Sequence, residues 1–209
     1  MKRIFSALST FSLASAFLAL QLAAMPIAHA EKADSEKPTN IEADQFTMDD
    51  VKQVKTFTGN VIMTRGSMKM TGAKVVVTTD PAGYQFAVLY AAPGDFAKFS
   101  QKRDSDPNVA SPPNLWIDGQ AADRIEYDDK TEIAKLYKDA QMRRLELPKG
   151  ATMADVKPQD IKVTDKVNGQ FILYDSRAEF YSVNNTVDGV SKPGAGRITA
   201  VLQPKPKQP

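Results

Sequence analysis

The residues of this chain best suited to acid–base chemistry are two tandem aspartate pairs, Asp49–Asp50 and Asp128–Asp129, with Asp123 near the second. Two carboxylates facing each other at the right separation hydrolyse glycosidic bonds. Both pairs, however, fall between segments of alternating apolar residues, where Asp closes turns through its own side chain, and the turn reading is the stronger one. Asp104-Ser105-Asp106-Pro107-Asn108 opens like a calcium-binding loop. It departs from that pattern at Val109, where glycine is needed, and at Leu115, where glutamate is needed. Lys98, Lys102 and Arg103 have the charge to meet phosphate groups, although a solvated basic turn is the simpler account.

What the chain lacks narrows the chemistry further. It has no cysteine, and its one histidine, His29, lies near the amino terminus. Disulfides, thiolate nucleophiles and zinc-thiolate sites are excluded. Lys2 and Arg3 are followed by an uncharged apolar run from Ile4 to Leu22, a break at Pro26 and the small-x-small triplet Ala28-His29-Ala30. This is the pattern of an export signal spanning residues 1–30, cleaved after Ala30, with Ala28 and Ala30 as the small residues of the cleavage site. The mature chain then keeps 179 of the 209 residues and carries no histidine, so it has no Ser-His-Asp triad and no imidazole metal site. Removing Lys2 and Arg3 from 27 basic residues leaves 25, equal to the 25 acidic ones. A neutral chain lacks the basic field of a nucleic-acid binder. Composition therefore favours binding or structure over catalysis, with neither metal nor cofactor, in an exported protein whose natural destination is a bacterial periplasm.

The elements that position these residues read as strands. Residues 31–37 form a charged, flexible segment, 38–202 one domain, and 203–209 a disordered Pro/Lys tail. Within the domain, runs rich in Val, Ile, Phe, Tyr and Thr are broken at short intervals by Gly, Pro, Asn and Asp, which predicts an all-β fold. The expected strands are Ile41–Met48, Val54–Thr64, Ser67–Thr79, Gln85–Ala91, Ala97–Gln101, Ala122–Tyr127, Glu132–Arg143, Lys162–Val167, Gly169–Tyr174, Ala178–Val183 and Arg197–Leu202, with one helical turn at Ala151–Val156.

An internal repeat underlies this order. Ile41–Thr64 superposes on Gln120–Arg143 at an offset of 79, with identities at Ala43, Asp44, Asp49, Asp50 and Met63. Gly72 then matches Gly169 at an offset of 97, so the second copy carries an 18-residue insertion near Leu147–Asp165. The second copy has Lys138-Asp139 where the first has Gly59-Asn60, which predicts relaxed packing there. Repeated strand hairpins without helices imply stacking along an axis.

Side chains alternate across a strand, so parity separates the two faces. Phe57, Val61 and Met63 share one face of the first copy, and Leu136 and Met142 the matching face of the second. Met68 and Met70 continue it, and beyond Gly72 the apolar set shifts to Ala73, Val75 and Val77, as a bulge at Gly72 would cause. Tyr84, Phe86, Val88 and Tyr90 form another apolar set, as do Ile125 with Tyr127 and Phe171 with Leu173. Parity does not say whether these residues fill a sandwich core or line an apolar groove.

Ile41-Glu-Ala-Asp, Phe57-Thr-Gly-Asn-Val61, the segment opening at Gly72-Ala-Lys-Val and Gly119-x-x-Ala-Asp-x-Ile-Glu-Tyr-Asp128 resemble, in this order, the OstA-like domain family. The closest likeness is to its soluble periplasmic members that serve lipopolysaccharide transport. The resemblance runs from about Pro38 to Leu202. It implies an OstA-like β-jellyroll, an open V-shaped stack of antiparallel strands with an apolar interior that shields the acyl chains of lipid A. It also implies head-to-tail assembly of copies of the chain. The amino-terminal edge, with Ile41, would meet an inner-membrane transport complex, and the carboxy-terminal edge, with Ile198, Val201 and Leu202, an outer-membrane translocon. By position in the resemblance Ile41, Phe99 and Tyr127 are the expected lipid contacts, and Phe57, Val61, Met63, Leu136, Met142 and Phe171 join them by parity. The competing readings are a self-assembling scaffold with a filled core and a carboxylate-based hydrolase.

Overall fold

The structure, a computed structural model, describes residues 36–105 and 111–204 together with Asp34. The expected cleavage site at Ala28 and Ala30, most of segment 31–37, the centre of the Asp104–Pro113 loop and most of the tail lie outside the described residues.

Among the described residues, alternating apolar residues separated by turn formers give twelve strands. They are β1 (Asn40–Glu42), β2 (Gln45–Asp49), β3 (Val54–Arg65), β4 (Met68–Thr79), β5 (Gln85–Tyr90), β6 (Ala97–Lys102), β7 (Asn114–Ala121), β8 (Arg124–Asp128), β9 (Ile133–Leu147), β10 (Lys162–Asp175), β11 (Phe180–Asn184) and β12 (Thr199–Leu202). All pairings are antiparallel. The expected first strand is two, because the chain turns at Ala43–Asp44, where the Asp44 amide donates to the Gly59 carbonyl at 3.0 Å. The two segments expected on either side of Asn168 are one continuous strand, β10. Strand β7 was not anticipated. The helical turn expected at Ala151–Val156 is reduced to the hydrogen bond from the Val156 amide to the Thr152 carbonyl, and a 3-10 turn follows at Pro158–Asp160.

Four long strands, β3, β4, β9 and β10, run through two facing sheets and bend where they pass from one to the other. In one sheet the order is β1, β3, β4, β6, β7, β9, β10, β12, and in the other it is β2, β3, β4, β5, β8, β9, β10, β11. The bend is written into the backbone. Gly59 and Asn60 have φ of 83° and 45°, and the register against β4 slips by one residue between Thr58 and Val61. Lys138 and Asp139, 79 positions later, have φ of 69° and 46°, and the register against β10 slips between Gly169 and Phe171. The extra residue therefore lies on β3, where Gly59 and Asn60 stand opposite Ala73, and not at Gly72 itself. The apolar parity of β4 does change at Gly72, as expected. Lys138-Asp139 keeps the backbone shape of Gly59-Asn60, so the expected relaxation is not found. Val61 pairs with Gly72 and Ala140 with Gly169, which confirms the offsets of 79 and 97 in the register itself.

The insertion folds over the outer surface. Ala151, Met153, Val156 and Ile161 pack on Trp116, Leu145 and Leu147, forming a small second cluster on the face of β7 and β9 that points away from the interior.

Candidate functional site

The space between the sheets is one apolar cluster to which every long strand contributes. Val61, Met70, Phe99 and Leu136 are each at most 2% exposed, so their side chains are in mutual contact rather than facing solvent. The Phe99 and Tyr174 rings, from opposite sheets, lie with centroids 6.4 Å apart. Gly119 of β7 comes so near the facing sheet that a β-carbon there would sit 2.7 Å from Leu136 Cδ2. Four methionines, Met63, Met68, Met70 and Met142, belong to the cluster, and their unbranched thioethers fill irregular gaps and repack readily.

Of the residues expected to contact lipid, Val61, Met63, Phe99, Tyr127, Leu136 and Met142 are brought together in this cluster. Ile41 pairs with Met63, and it and Phe57 are half-buried against the same cluster. Phe171 is not with them. It pairs with Tyr137 on the outer face, edge-on at 5.1 Å, with Gly189 of the β11–β12 connection closing over its ring. The cause is the parity change at Gly169, the counterpart of the one at Gly72, which turns Ile172 and Tyr174 inward and Phe171 outward. Strand β5 also shows the face opposite to the one expected. Ala87 and Leu89 are inward because they pair with Val77 and Val75, while Tyr84 and Phe86 are exposed. Both faces of Phe86-Ala-Val-Leu-Tyr90 are apolar, so only the register could choose between them.

Met70, Leu89, Ile117, Ile125, Ile172 and Tyr174 complete the interior. The inward row of β7 was missed because Gly119 and Ala121 are too small to extend an apolar alternation from Ile117.

The carboxylates are engaged elsewhere. Asp49 accepts the Lys52 amide at 3.0 Å and Asp128 the Lys130 amide at 2.9 Å, as turn formers do. Asp129 accepts the Gln85 amide at 3.0 Å, and Asp123 binds Arg124 at 2.7 Å. They do not face one another across a cleft, and among the described residues no group of acidic side chains is arranged to hold a metal ion. Lys98 is exposed beside Asp95, whereas Arg103 is buried in an ion pair with Glu179.

On the outer face the Tyr137 hydroxyl donates to Glu126 at 2.9 Å, and the Arg124 guanidinium lies over its ring at 3.8 Å. Burial, followed by the bond to Glu126, pushes the Tyr137 phenol up to about 12.

The two ends of the stack differ from its middle. Among the described strands β1 and β2 pair with β3 alone, and β11 and β12 with β10 alone, so each of these four has one side without a partner strand. Apolar side chains are exposed along both edges. At one are Phe46 and Met48, with Phe46 stacked 4.7 Å from Phe57; at the other are Ile198, Val201 and Leu202, exposed by 48%, 55% and 67%. Ile198 lies just before β12 rather than within it.

Against known proteins, the family described as LptA/(LptD N-terminal domain) LPS transport protein matches residues 40–180. The lipopolysaccharide export system protein LptA of Haemophilus influenzae is 30% identical over 192 residues, 92% of each chain. LptA of Escherichia coli K12 is 40% identical over 97 residues, 46% of this chain and 50% of that one. LptH of Pseudomonas aeruginosa is 24% identical over 176 residues, 84% of each. The crystal structure of LptH, described as the LptA homologous periplasmic component of a lipopolysaccharide transport device, superposes with a TM-score of 0.61 at 22% identity, covering 82% of this chain and 99% of that one. That superposition establishes the shared fold. With the repeated bend, the two facing sheets and a match across most of the domain, the chain belongs to the LptA/(LptD N-terminal domain) lipopolysaccharide transport protein family.

Proposed function

We propose that this protein carries lipopolysaccharide between the inner and outer membranes, in the periplasm, by shielding the acyl chains of lipid A between its two sheets. The observation that carries the reading is an apolar interior that continues to both ends of the stack, where strand edges lack partners and expose apolar side chains. A 12-carbon acyl chain exposed to water costs about 9–10 kcal/mol at ~0.8 kcal/mol per methylene, and a continuous apolar path removes that barrier. Such a path needs no catalytic group, in keeping with a mature chain without Cys or His. One domain is short: eight strands at a spacing of about 4.8 Å give roughly 35 Å. Copies joined head to tail through β1–β2 of one and β11–β12 of the next extend the path, and a two-ended contact of this kind does not close on itself. The amino-terminal edge, with Ile41, faces the inner-membrane complex, and the carboxy-terminal edge, with Val201 and Leu202, the outer-membrane translocon.

The close packing at Val61, Phe99 and Leu136 favours a second reading, a scaffold with a permanently filled core. The two are separated by placing a photo-crosslinking residue at Phe99 in cells, with exposed Asp139 as the control. A lipopolysaccharide adduct at Phe99 alone supports the lipid path. Absence of adducts at Phe99, Val61 and Tyr127 in functional protein leaves the scaffold.

A further inference from the structure

The bends at Gly59–Asn60 and Lys138–Asp139 close one side of the two-sheet stack. On the other side the sheets end in turns and loops, and these ends are joined by ion pairs. Arg65, at the end of β3, lies 3.1 Å from Asp129 in the β8–β9 turn of the facing sheet, with side chains only 13% and 11% exposed. Arg103, just past β6, binds Glu179 in the β10–β11 turn. Arg144, near the end of β9, donates to the Glu179 carbonyl at 3.3 Å and lies over the Tyr181 ring at 4.9 Å.

The three arginines have a common origin in the strand pattern. Each follows the inward residues of its own strand towards the mouth: Val61, Met63, Arg65 on β3; Phe99, Gln101, Arg103 along β6; Ala140, Met142, Arg144 on β9. In the sheet that holds them β3, β6 and β9 are every second strand, so the cations recur at about 10 Å along the stacking axis, twice the strand spacing. Polarity therefore rises from the interior to this mouth, from apolar directly to guanidinium on β3 and β9 and through the amide of Gln101 on β6. Gln101 is 3% exposed and its Oε1 has no hydrogen-bond partner, and the buried Nε groups of Arg103 and Arg144 also lack one. A buried polar atom left without a partner is costly, so these three mark unused binding capacity at the mouth. The same order, from hydrocarbon through amide or ester to phosphate, is that of an acylated, phosphorylated sugar.

We propose that Arg65, Arg103 and Arg144 form a phosphate-binding rim at the mouth between the sheets, held shut by Asp129 and Glu179 and handed over to the phosphates of the cargo when the acyl chains enter. This rests on the lipid-carrying reading above and specifies how it is gated. Exchange of one anion for another keeps the guanidiniums paired as the sheets part, whereas opening without an incoming anion strands buried charge. Guanidinium suits the task because its planar fork binds carboxylate and phosphate in the same two-pronged geometry.

The test measures binding of lipid A, and of the same lipid with its phosphates removed, to the full chain and to the variants Arg103→Gln, Arg144→Gln and Glu179→Gln. The expected result is that the wild type favours the phosphorylated lipid by about tenfold or more, the margin of a charge-assisted bond. Arg103→Gln and Arg144→Gln each shrink that margin without weakening the phosphate-free lipid, whose retained affinity shows that the fold is intact. Glu179→Gln, which frees Arg103, tightens the phosphorylated lipid. Equal affinity of the two lipids, or an equal loss of both in the arginine variants, overturns the rim and leaves the lipid-carrying reading standing. If neither lipid binds the wild type, both readings are overturned.

Discussion

Asn60 and Asp139, 79 residues apart in sequence, hold the same left-handed backbone conformation, with φ of 45° and 46°. Each follows a second residue of positive φ, Gly59 in one case and Lys138 in the other. Gln53 and Glu132, also 79 apart, share φ of 53° and 56° at the turns that open β3 and β9. The repeat is therefore a repeat of backbone geometry, kept even where the residue types have changed.

The two bends should respond oppositely to substitution. A side chain in the left-handed region costs about 1–2 kcal/mol, and Lys138 bears that cost where glycine would not. Lys138→Gly is expected to raise stability by up to about 1 kcal/mol, part of the gain being offset by the extra freedom of glycine in the unfolded chain. Gly59→Ala should lower it by about 1–3 kcal/mol, because its β-carbon would sit 2.2 Å from Asp44 Oδ2 at a φ of 83°. Urea denaturation of the two variants beside the wild type checks both signs.

Strand β5 offers a test of which face is inward. Leu89 is fully buried and Phe86 is 38% exposed. Leu89→Ala is expected to cost about 2–5 kcal/mol, and Phe86→Ala, although it removes the larger side chain, less than about 1 kcal/mol. The reverse order in thermal or urea unfolding would place Phe86 inside and refute the register of β5 against β4.

Tyr137 should titrate late. Its folded pKa of about 12 lies above the ordinary value of 10.0. The neutral phenol is thus favoured by folding, so its contribution to stability is whole below pH 10 and is lost as pH rises towards 12. Ultraviolet titration of the wild type against Tyr137→Phe should show one tyrosine ionising near pH 12. A Tyr137 signal near pH 10 would mean that the phenol is neither buried nor bonded to Glu126 in solution.

Head-to-tail joining has a signature in mixtures. Phe46→Asp places a charge on the amino-terminal edge and Leu202→Asp one on the carboxy-terminal edge, and charge on an edge blocks strand pairing. Each variant alone is expected to sediment as a monomer, while an equal mixture forms dimers and nothing larger, each dimer joining the two intact edges. If either variant alone still dimerises, the contact joins like edges and the head-to-tail arrangement is wrong.

Much of this molecule was legible in the sequence. Period-two alternation and turn residues gave the all-β class, nearly every strand and the turn role of Asp49 and Asp128, because these depend on residues close together in the chain. The offsets of 79 and 97 gave the repeat and the insertion, since each copy has to make the same bend. The inward placement of Val61, Met63, Leu136 and Met142 followed from one alternating face, and that of Phe99 and Tyr127 from the family resemblance.

What the tertiary structure alone decided is where alternation carries no information or is interrupted. In β5 both faces are apolar, and pairing with Val75 and Val77 selected Leu89 over Phe86. At Gly169 the parity reverses, which turned Phe171 outward; the matching reversal at Gly72 was visible only because Lys74 and Thr78 flank the run Val75–Val77, whereas Phe171-Ile-Leu-Tyr174 is apolar throughout. Strand β7 escaped notice because Gly119, in its inward row, has no side chain where Leu136 enters from the facing sheet, a constraint set by a neighbour 17 residues further along the chain. The pairing of Arg65 with Asp129, 64 residues apart, and of Arg103 with Glu179, 76 apart, arises from the meeting of two sheet ends. Local sequence fixes which way a strand can face; contacts between segments distant in the chain fix which charges meet when two sheets close.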